Sequence, residues 1–278
     1  MLSTVLFLVV SNPFVLNGKP ADKAWSVLDA GLHDKSSEHR VEALQALAVI
    51  PATPKVVSLA ENALTDPSSD VRAQAAQTLG KLKATGSSAK LHETLKDKEV
   101  KVVIAAANAL YELKDPVAYQ VFYALLTGER KSSEGLVAGE LDTLRDRKQM
   151  EKLVLETGIG FVPFGGMGWQ AWKTITQDDS SPVKAAAAEK LASDPDPKTA
   201  AALVNAMNDK KWRVRAAAVN AIGLRGDPKL LNEVIPAMFD GTNVVRCQAA
   251  ATVLTLSSPH RTRFRRTSAP SAPRVRAN

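Results

Sequence analysis

The sequence predicts an all-α fold, an α-solenoid of about seven helix pairs wound into a superhelix with one irregular insertion, and three observations predict it. The first is a recurring Asp at 34, 66, 97, 178, 209 and 240, separated by 32, 31, 81, 31 and 31 residues. One period beyond Asp97 falls on Gly128, where the other offsets persist, so a seventh, degenerate copy stands there. The second is a pair of apolar columns. Nine residues after each start come Ala43, Ala75, Ala106, Val137, Ala187, Ala218 and Ala249; thirteen after come Leu47, Leu79, Leu110, Leu141, Leu191, Ile222 and Val253. Offsets of five, nine and thirteen share one stripe of a helix with 3.6 residues per turn. The third is a shorter apolar pattern ahead of each Asp, as in Pro54–Leu64, Ser87–Leu95, Pro116–Leu126 and Pro228–Phe239. Pro is preorganised for the first helical position, so these read as the first helix of each pair. Two helices per period, repeated, cannot bury their apolar faces alone and must stack.

Taken in order, the chain opens on an apolar leader, residues 1–18, with a core from Val5 to Val10 and no Lys or Arg before Lys19. It resembles a degenerate signal peptide, but a cut after Gly18 would place Leu16 where a small residue is wanted. The alternative is an apolar strap on the first repeat. A working leader implies an exported or periplasmic protein; otherwise the chain is cytoplasmic. No run reaches the roughly 18 uncharged apolar residues of a membrane span, so no transmembrane helix is expected.

Residues 19–256 form the solenoid, which grows by addition and needs no second domain. Its regularity fails between Gly128 and Asp178, where the spacing exceeds one period by 19 residues. The irregular insertion, at about 146–177, holds a charged helical pattern and then a glycine-rich stretch carrying Phe161, Phe164, Met167, Trp169 and Trp172. The glycines lack phosphate-loop spacing, and no βαβ unit surrounds them. Two readings remain. Either the rings pack where the stack is interrupted, or they stay exposed as anchors for another protein.

The tail, residues 257–278, holds six Arg and no acid, and therefore six of the seven net positive charges of the chain. It is expected to be disordered, because it has no apolar periodicity with which to offset its ordering entropy. Removing it leaves the body close to neutral, which gives no strong nucleic-acid signal in the folded part. Binding of an anionic surface or nucleic acid through the tail is one alternative function.

The Asp, with Val five and Arg six residues later, resembles the HEAT repeat, and the short period is similar to its phycobilisome-lyase-like branch. Val71-Arg72, Val214-Arg215 and Val245-Arg246 fit; Val183-Lys184 keeps the charge; His39-Arg40 keeps the Arg. Val102-Val103 and Ser133-Glu134 depart. The resemblance implies a hydrogen-bonded ladder between neighbouring repeats made by Asp34, Arg40, Asp66, Arg72, Asp97, Asp178, Lys184, Asp209, Arg215, Asp240 and Arg246. It also implies a weaker ladder across the third and fourth copies. An Asp ahead of a helix is further expected to cap free N–H groups.

No constellation for chemistry emerges, so the expectation is a noncatalytic scaffold, not an enzyme, that carries no cofactor and grips another protein along its second helices. His33, His39, His92 and His260 are scattered, and the single His92-Glu93 pair cannot supply a transition-metal ligand set. Cys247 stands in a column of Val41, Ala73, Ile104, Ala185 and Ala216 and reads as a small packed residue. A second alternative, allowed by the resemblance, is a helper or lyase-like factor for a cofactor-bearing protein.

Overall fold

The computed structural model describes residues 19–127 and 181–258, and among these the regular elements are twelve α-helices joined by turns and 3₁₀ segments. The first three pairs are α1 (Pro20–Leu32) with α2 (Ser37–Leu47), α3 (Pro54–Asn62) with α4 (Ser69–Lys81), and α5 (Ser88–Thr94) with α6 (Val100–Glu112). Helix α7 (Val117–Thr127) follows. The second part comprises α8 (Ser181–Leu191), then α9 (Pro197–Ala206) with α10 (Trp212–Arg225), then α11 (Leu231–Val234) with α12 (Asn243–Ser257).

The first helices begin as their sequences dictate. Pro54 and Pro197 take the first helical positions of α3 and α9, behind Thr53 and Asp196, whose side chains accept from the N–H of Val56 and Lys198. That pairing removes one orphan donor at each start. The α11 pair is less regular, with 3₁₀ segments Pro228–Leu230 and Ile235–Phe239 on either side of a four-residue helix.

Stacking rests on the small-residue columns. Ala43, Ala75, Ala106, Ala218 and Ala249 are all fully buried, as are Leu47, Leu79, Leu110, Ile222 and Val253. In α8 the expected columns fail: Ala187 is exposed and Leu191 is 38% exposed, while Ala185 and Ala188 are buried instead. Without long side chains between them, neighbouring second helices approach until backbones nearly touch. A Cβ on Gly80 of α4 would lie 2.8 Å from Ala109 Cα of α6. Thr78 then reaches from α4 to the Leu44 carbonyl of α2 (3.0 Å), and Thr252 repeats that bond from α12 to the Val219 carbonyl of α10 (3.2 Å).

The order of the stack is not the order of the chain. Helix α8 packs on α10 and α10 on α12, but α12 then packs on α1 and α2, from which the stack continues to α4 and α6. The last repeat is therefore joined to the first. Helix α12 is enclosed by this seam, with 12 of its 15 residues buried. An end repeat in an open stack would keep a polar outer face.

Candidate functional site

Each repeat turn is built around its Asp. The side chain accepts from the backbone N–H two residues on: Asp34 from Ser36, Asp66 from Ser68, Asp97 from Glu99, Asp209 from Lys211 and Asp240 from Thr242, at 2.8–2.9 Å. This corrects the expected cap. The carboxylate holds the N–H of the residue that precedes the helix and shapes the turn, and that residue's own side chain caps none of the first-turn N–H groups.

The Arg six residues on bonds backwards and forwards. Arg72 Nη1 donates to the Asp66 carbonyl of its own turn (2.9 Å), and Nε and Nη2 clamp the Asp97 carboxylate of the next repeat at 2.6 and 2.9 Å. Arg40 holds Asp66 (2.8 and 2.7 Å) and Arg215 holds Asp240 (2.7 and 2.8 Å) in the same bidentate way. Lys184 reaches Asp209 with a single bond of 2.9 Å. Burial pushes Asp66, Asp97 and Asp240 up, but the Arg clamp and the turn N–H together hold all three below the usual carboxylate range. Asp178 lies outside the described residues.

At the seam the register continues but the clamp does not close. Arg246 holds its own turn through the Asp240 and Gly241 carbonyls (2.9 and 3.1 Å), and its Nη2 turns to Asn243 Oδ1 (3.2 Å). Asp34 faces it across the seam, held below its ordinary value by the Ser36 N–H, then by His39, and more weakly by the Arg246 charge. His39 Nδ1 stands 3.2 Å from the Asp34 carboxylate. Asn243 Nδ2 donates to Glu42 Oε2 at 2.7 Å, tying α12 to α2 across 201 residues of sequence. Cys247 is buried beside this contact. Burial, with the Glu42 charge second, pushes its thiol up to about 12.

With the ladder spent on turns and the two apolar columns spent on the core, one face of each second helix but α12 is left for solvent. Its stripe runs through offsets four, eleven and fifteen from the Asp, which are half-buried or exposed in the second helices other than α12 and buried in α12. Offset four is charged at Glu38, Asp70, Lys101 and Arg213, with Lys101 paired to Asp70 at 2.5 Å. Offset eleven is a column of amides: Gln45, Gln77, Asn108 and Asn220, all half-buried. In α12 that position is Ala251, but Gln248 one turn earlier supplies an amide. Among the described residues, the side chains of Gln77, Asn108 and Asn220 make no hydrogen bond within the protein. Gln248 is 5% exposed, and its Oε1 has no partner. An unsatisfied buried acceptor costs about 1–3 kcal/mol. Sequence reasoning missed this column because it tracked the apolar offsets; the signal was a polar residue midway between the nine and thirteen columns.

The remaining expectations sort plainly. Phe161, Phe164, Met167, Trp169 and Trp172 lie outside the described residues, as do the leader and most of the tail. His92 is paired to Asp115 at 3.1 Å and His33 to Asp29 at 3.4 Å, far apart in the fold's repeats. Among the described residues no three His, Cys, Asp or Glu side chains gather as a metal site, and no helix is long and apolar enough to cross a membrane. An open cleft of about 440 Å³ lies between α3 and α5, but its charges are consumed internally, Lys90 by Glu61 (2.6 Å) and Asp97 by Arg72.

Comparison with known proteins agrees with the repeat geometry. A family model described as HEAT repeats matches residues 25–104, 59–134 and 170–255. Solved structures similar to the chain include human deoxyhypusine hydroxylase in complex with glycerol, 16% identical over 85% of this chain and 96% of that one, with a TM-score of 0.32. The complex of CpcE and CpcF of phycocyanin lyase from Nostoc sp. PCC7120 is 18% identical over 91% and 100%, with a TM-score of 0.32. A computationally designed armadillo repeat protein for modular peptide recognition is 14% identical over 85% and 99%, with a TM-score of 0.26. No curated protein matches the chain.

Proposed function

The chain belongs to the HEAT-repeat family, and from that premise we propose that it is a noncatalytic scaffold that binds another protein along the outward wall of its second helices. The observation that carries this reading is the division of labour among polar groups. Ladder and turn residues are bonded to one another, whereas Gln77, Asn108 and Asn220 stand half-buried at one offset of the wall with no hydrogen bond to the described fold. A reaction centre needs convergent, perturbed groups. Here the ladder carboxylates are paired, the buried thiol is held neutral, and the two other groups shifted by burial, Lys81 (down) and Glu189 (up), stand apart on α4 and α8.

Phe161, Phe164, Met167, Trp169 and Trp172 are proposed as a second contact on the same partner, since large rings are the residues that anchor interfaces. Trp169→Ala with Trp172→Ala should leave the melting temperature within a few degrees and weaken capture of the partner. Early unfolding of that variant would assign the rings to the core.

The wall itself is tested with a photoreactive amino acid placed singly at Gln77 and Asn108 and, as a control, at Lys55 and Lys90 on the first helices. Irradiation in the source cell should give a discrete protein adduct from the wall positions alone. Adducts of equal yield from both faces, or from neither, would remove the wall as the binding surface.

A further inference from the structure

Five residues after each Asp the second helices carry a valine: Val71, Val102, Val183, Val214 and Val245. Among the described residues the first repeat alone departs, with His39, and the first repeat is the one that meets the last across the seam. His39 Nδ1 is shut off from solvent and stands 3.2 Å from Asp34 Oδ2 without the alignment of a hydrogen bond. Buried side-chain nitrogens are seldom left so. The other side of the seam departs as well. Arg246 keeps Nη1 on the carbonyls of its own turn, as Arg40, Arg72 and Arg215 do. Those three then clamp the next Asp with Nε and Nη2. Arg246 instead turns Nη2 to Asn243, and its Nε bonds nothing among the described residues.

The two departures meet on one oxygen. In every closed step the turn N–H takes Oδ1 of the Asp, and Nε of the preceding Arg takes Oδ2: Arg40 on Asp66, Arg72 on Asp97, Arg215 on Asp240. At the seam the Ser36 N–H takes Oδ1 of Asp34 in the same way, but the place beside Oδ2 belongs to His39. We propose that His39 and Arg246 compete for Asp34 and that the proton on His39 decides between them. A charged imidazolium keeps the carboxylate within its own repeat. Loss of the proton frees Oδ2 for Arg246, which then closes the clamp between the last repeat and the first. Histidine is the side chain suited to such a choice, because its charge changes between pH 5 and 8, whereas a guanidinium stays charged throughout. The valine of the other repeats offers the Arg no competitor.

The other charged groups on the elements packed here are engaged elsewhere or neutral. Glu42 of α2 accepts from Asn243, Arg40 holds Asp66, and His33 at the end of α1 pairs with Asp29. On α3, Lys55 lies over Trp25 and Glu61 takes Lys90; on α4, Asp70 takes Lys101 and Arg72 holds Asp97. Cys247 of α12 is held neutral by burial, and Lys35 and Glu38 flank His39 as exposed residues of its own turn and helix. The direction follows from the proton count. The closed clamp carries one proton fewer than the open one, so the seam tightens as pH rises from 5.5 to 8. Steps clamped by Arg on Asp have no such response, since both partners keep their charge over that range. The device sits where α12 meets α1 and α2, so it sets how firmly the second described part of the chain is held to the first.

The test is amide hydrogen exchange of the purified full chain at pH 5.5 and pH 8.0, corrected for the intrinsic effect of pH and read on α1, α2 and α12, with α4 and α6 as the internal control. Protection at the seam should rise about three- to fivefold between the two pH values, the effect of roughly one partly exposed ion pair, and protection of α4 and α6 should not follow it. His39→Val, which restores the residue of the other repeats, should be protected at both pH values as the wild type is at pH 8.0. His39→Gln, which does not titrate, should lose the response by a second route. Arg246→Ala should stay at the pH 5.5 level throughout, and His33→Gln should respond as the wild type does. Unchanged circular dichroism establishes that the variants fold. Equal seam protection at the two pH values in the wild type overturns the proposal. A response that survives in Arg246→Ala or in both His39 variants, or that is lost in His33→Gln, overturns it as well.

Discussion

The step from α4 to α6 joins consecutive repeats, and the step from α12 to α2 joins the last repeat to the first. Both are closed by small residues: a Cβ on Gly80 would strike Ala109, and one on Gly31 would lie 3.0 Å from Ala43 Cβ and 3.1 Å from Cys247 Sγ. They differ in charge. Arg72 clamps Asp97 with two short bonds between groups that are each 11% exposed, whereas Arg246 leaves Asp34 to His39. The comparison teaches that apolar columns bring second helices together and that the ion clamp is an addition to a step that already packs. A buried charge pair gains less than its Coulomb energy suggests, because desolvation offsets much of it.

The sharpest way to break the comparison is to put a charge into each step at the same offset. Ala76 in α4 and Ala250 in α12 are both fully buried ten residues after their Asp. Ala76→Glu and Ala250→Glu should each cost more than about 4 kcal/mol, since neither site offers a partner for a carboxylate. Two separate melting transitions in Ala250→Glu, with α1–α6 intact, would show instead that the seam is a loose contact between independent halves. Cys247 gives a local readout. With its thiol held neutral up to about 12, alkylation of the native protein at pH 8 should be no faster than global unfolding allows.

A smaller effect separates the clamps. Arg72→Ala should cost about 2–3 kcal/mol, because it strands Asp97 in a partly buried place, and Arg246→Ala no more than about 1 kcal/mol. Asp209→Ala should cost less than Arg72→Ala, since its Lys184 partner is 55% exposed. Acid should act on the same difference. Asp66, Asp97 and Asp240 have folded values below their unfolded ones, so their contribution is complete above about pH 4 and is lost as pH falls through the folded values. Wild type should therefore lose stability steeply below pH 4. Arg72→Ala should show a shallower acid slope and Arg246→Ala a slope close to wild type, measured by urea midpoints from pH 5 to pH 2.

Much of this was legible in the sequence, for identifiable reasons. The period, the helix pairs and the buried Ala and Leu columns follow from spacing alone, because a 3.6-residue helix leaves few other ways to hide those residues. The direction of the clamp did not follow. Val103 implies a weaker ladder across the third and fourth copies, but Asp97 is served by Arg72 of the preceding repeat; what Val103 removes is a forward bond from α6. The seam was hidden because stacking order is a three-dimensional fact, although VVRCQAAATVLTL in α12 has no polar face and so signals a helix covered on both sides. Gln248 and the other amides were invisible to a reading that scored only apolar periodicity.

The finest distinction lies in the glycines. Gly80→Ala places a methyl group 2.8 Å from backbone, the Ala109 Cα, and backbone yields only if α4 and α6 separate. Separation would loosen the Thr78 bond and the Arg72 clamp on the adjoining steps as well, so a cost of about 1–3 kcal/mol is expected for this overpacking. Gly31→Ala meets two side-chain atoms, Ala43 Cβ at 3.0 Å and Cys247 Sγ at 3.1 Å, the second a polarisable group at the end of one rotatable bond. Its cost should stay below about 1 kcal/mol, offset in part by the higher helix propensity of Ala over Gly in α1. Adding Cys247→Ala to Gly31→Ala removes the sulfur from that contact and should recover stability relative to Cys247→Ala alone, a coupling that a double-mutant cycle resolves. No coupling between residues 31 and 247 would mean that α1 and α12 do not touch in solution, and the joining of last repeat to first would fall with it.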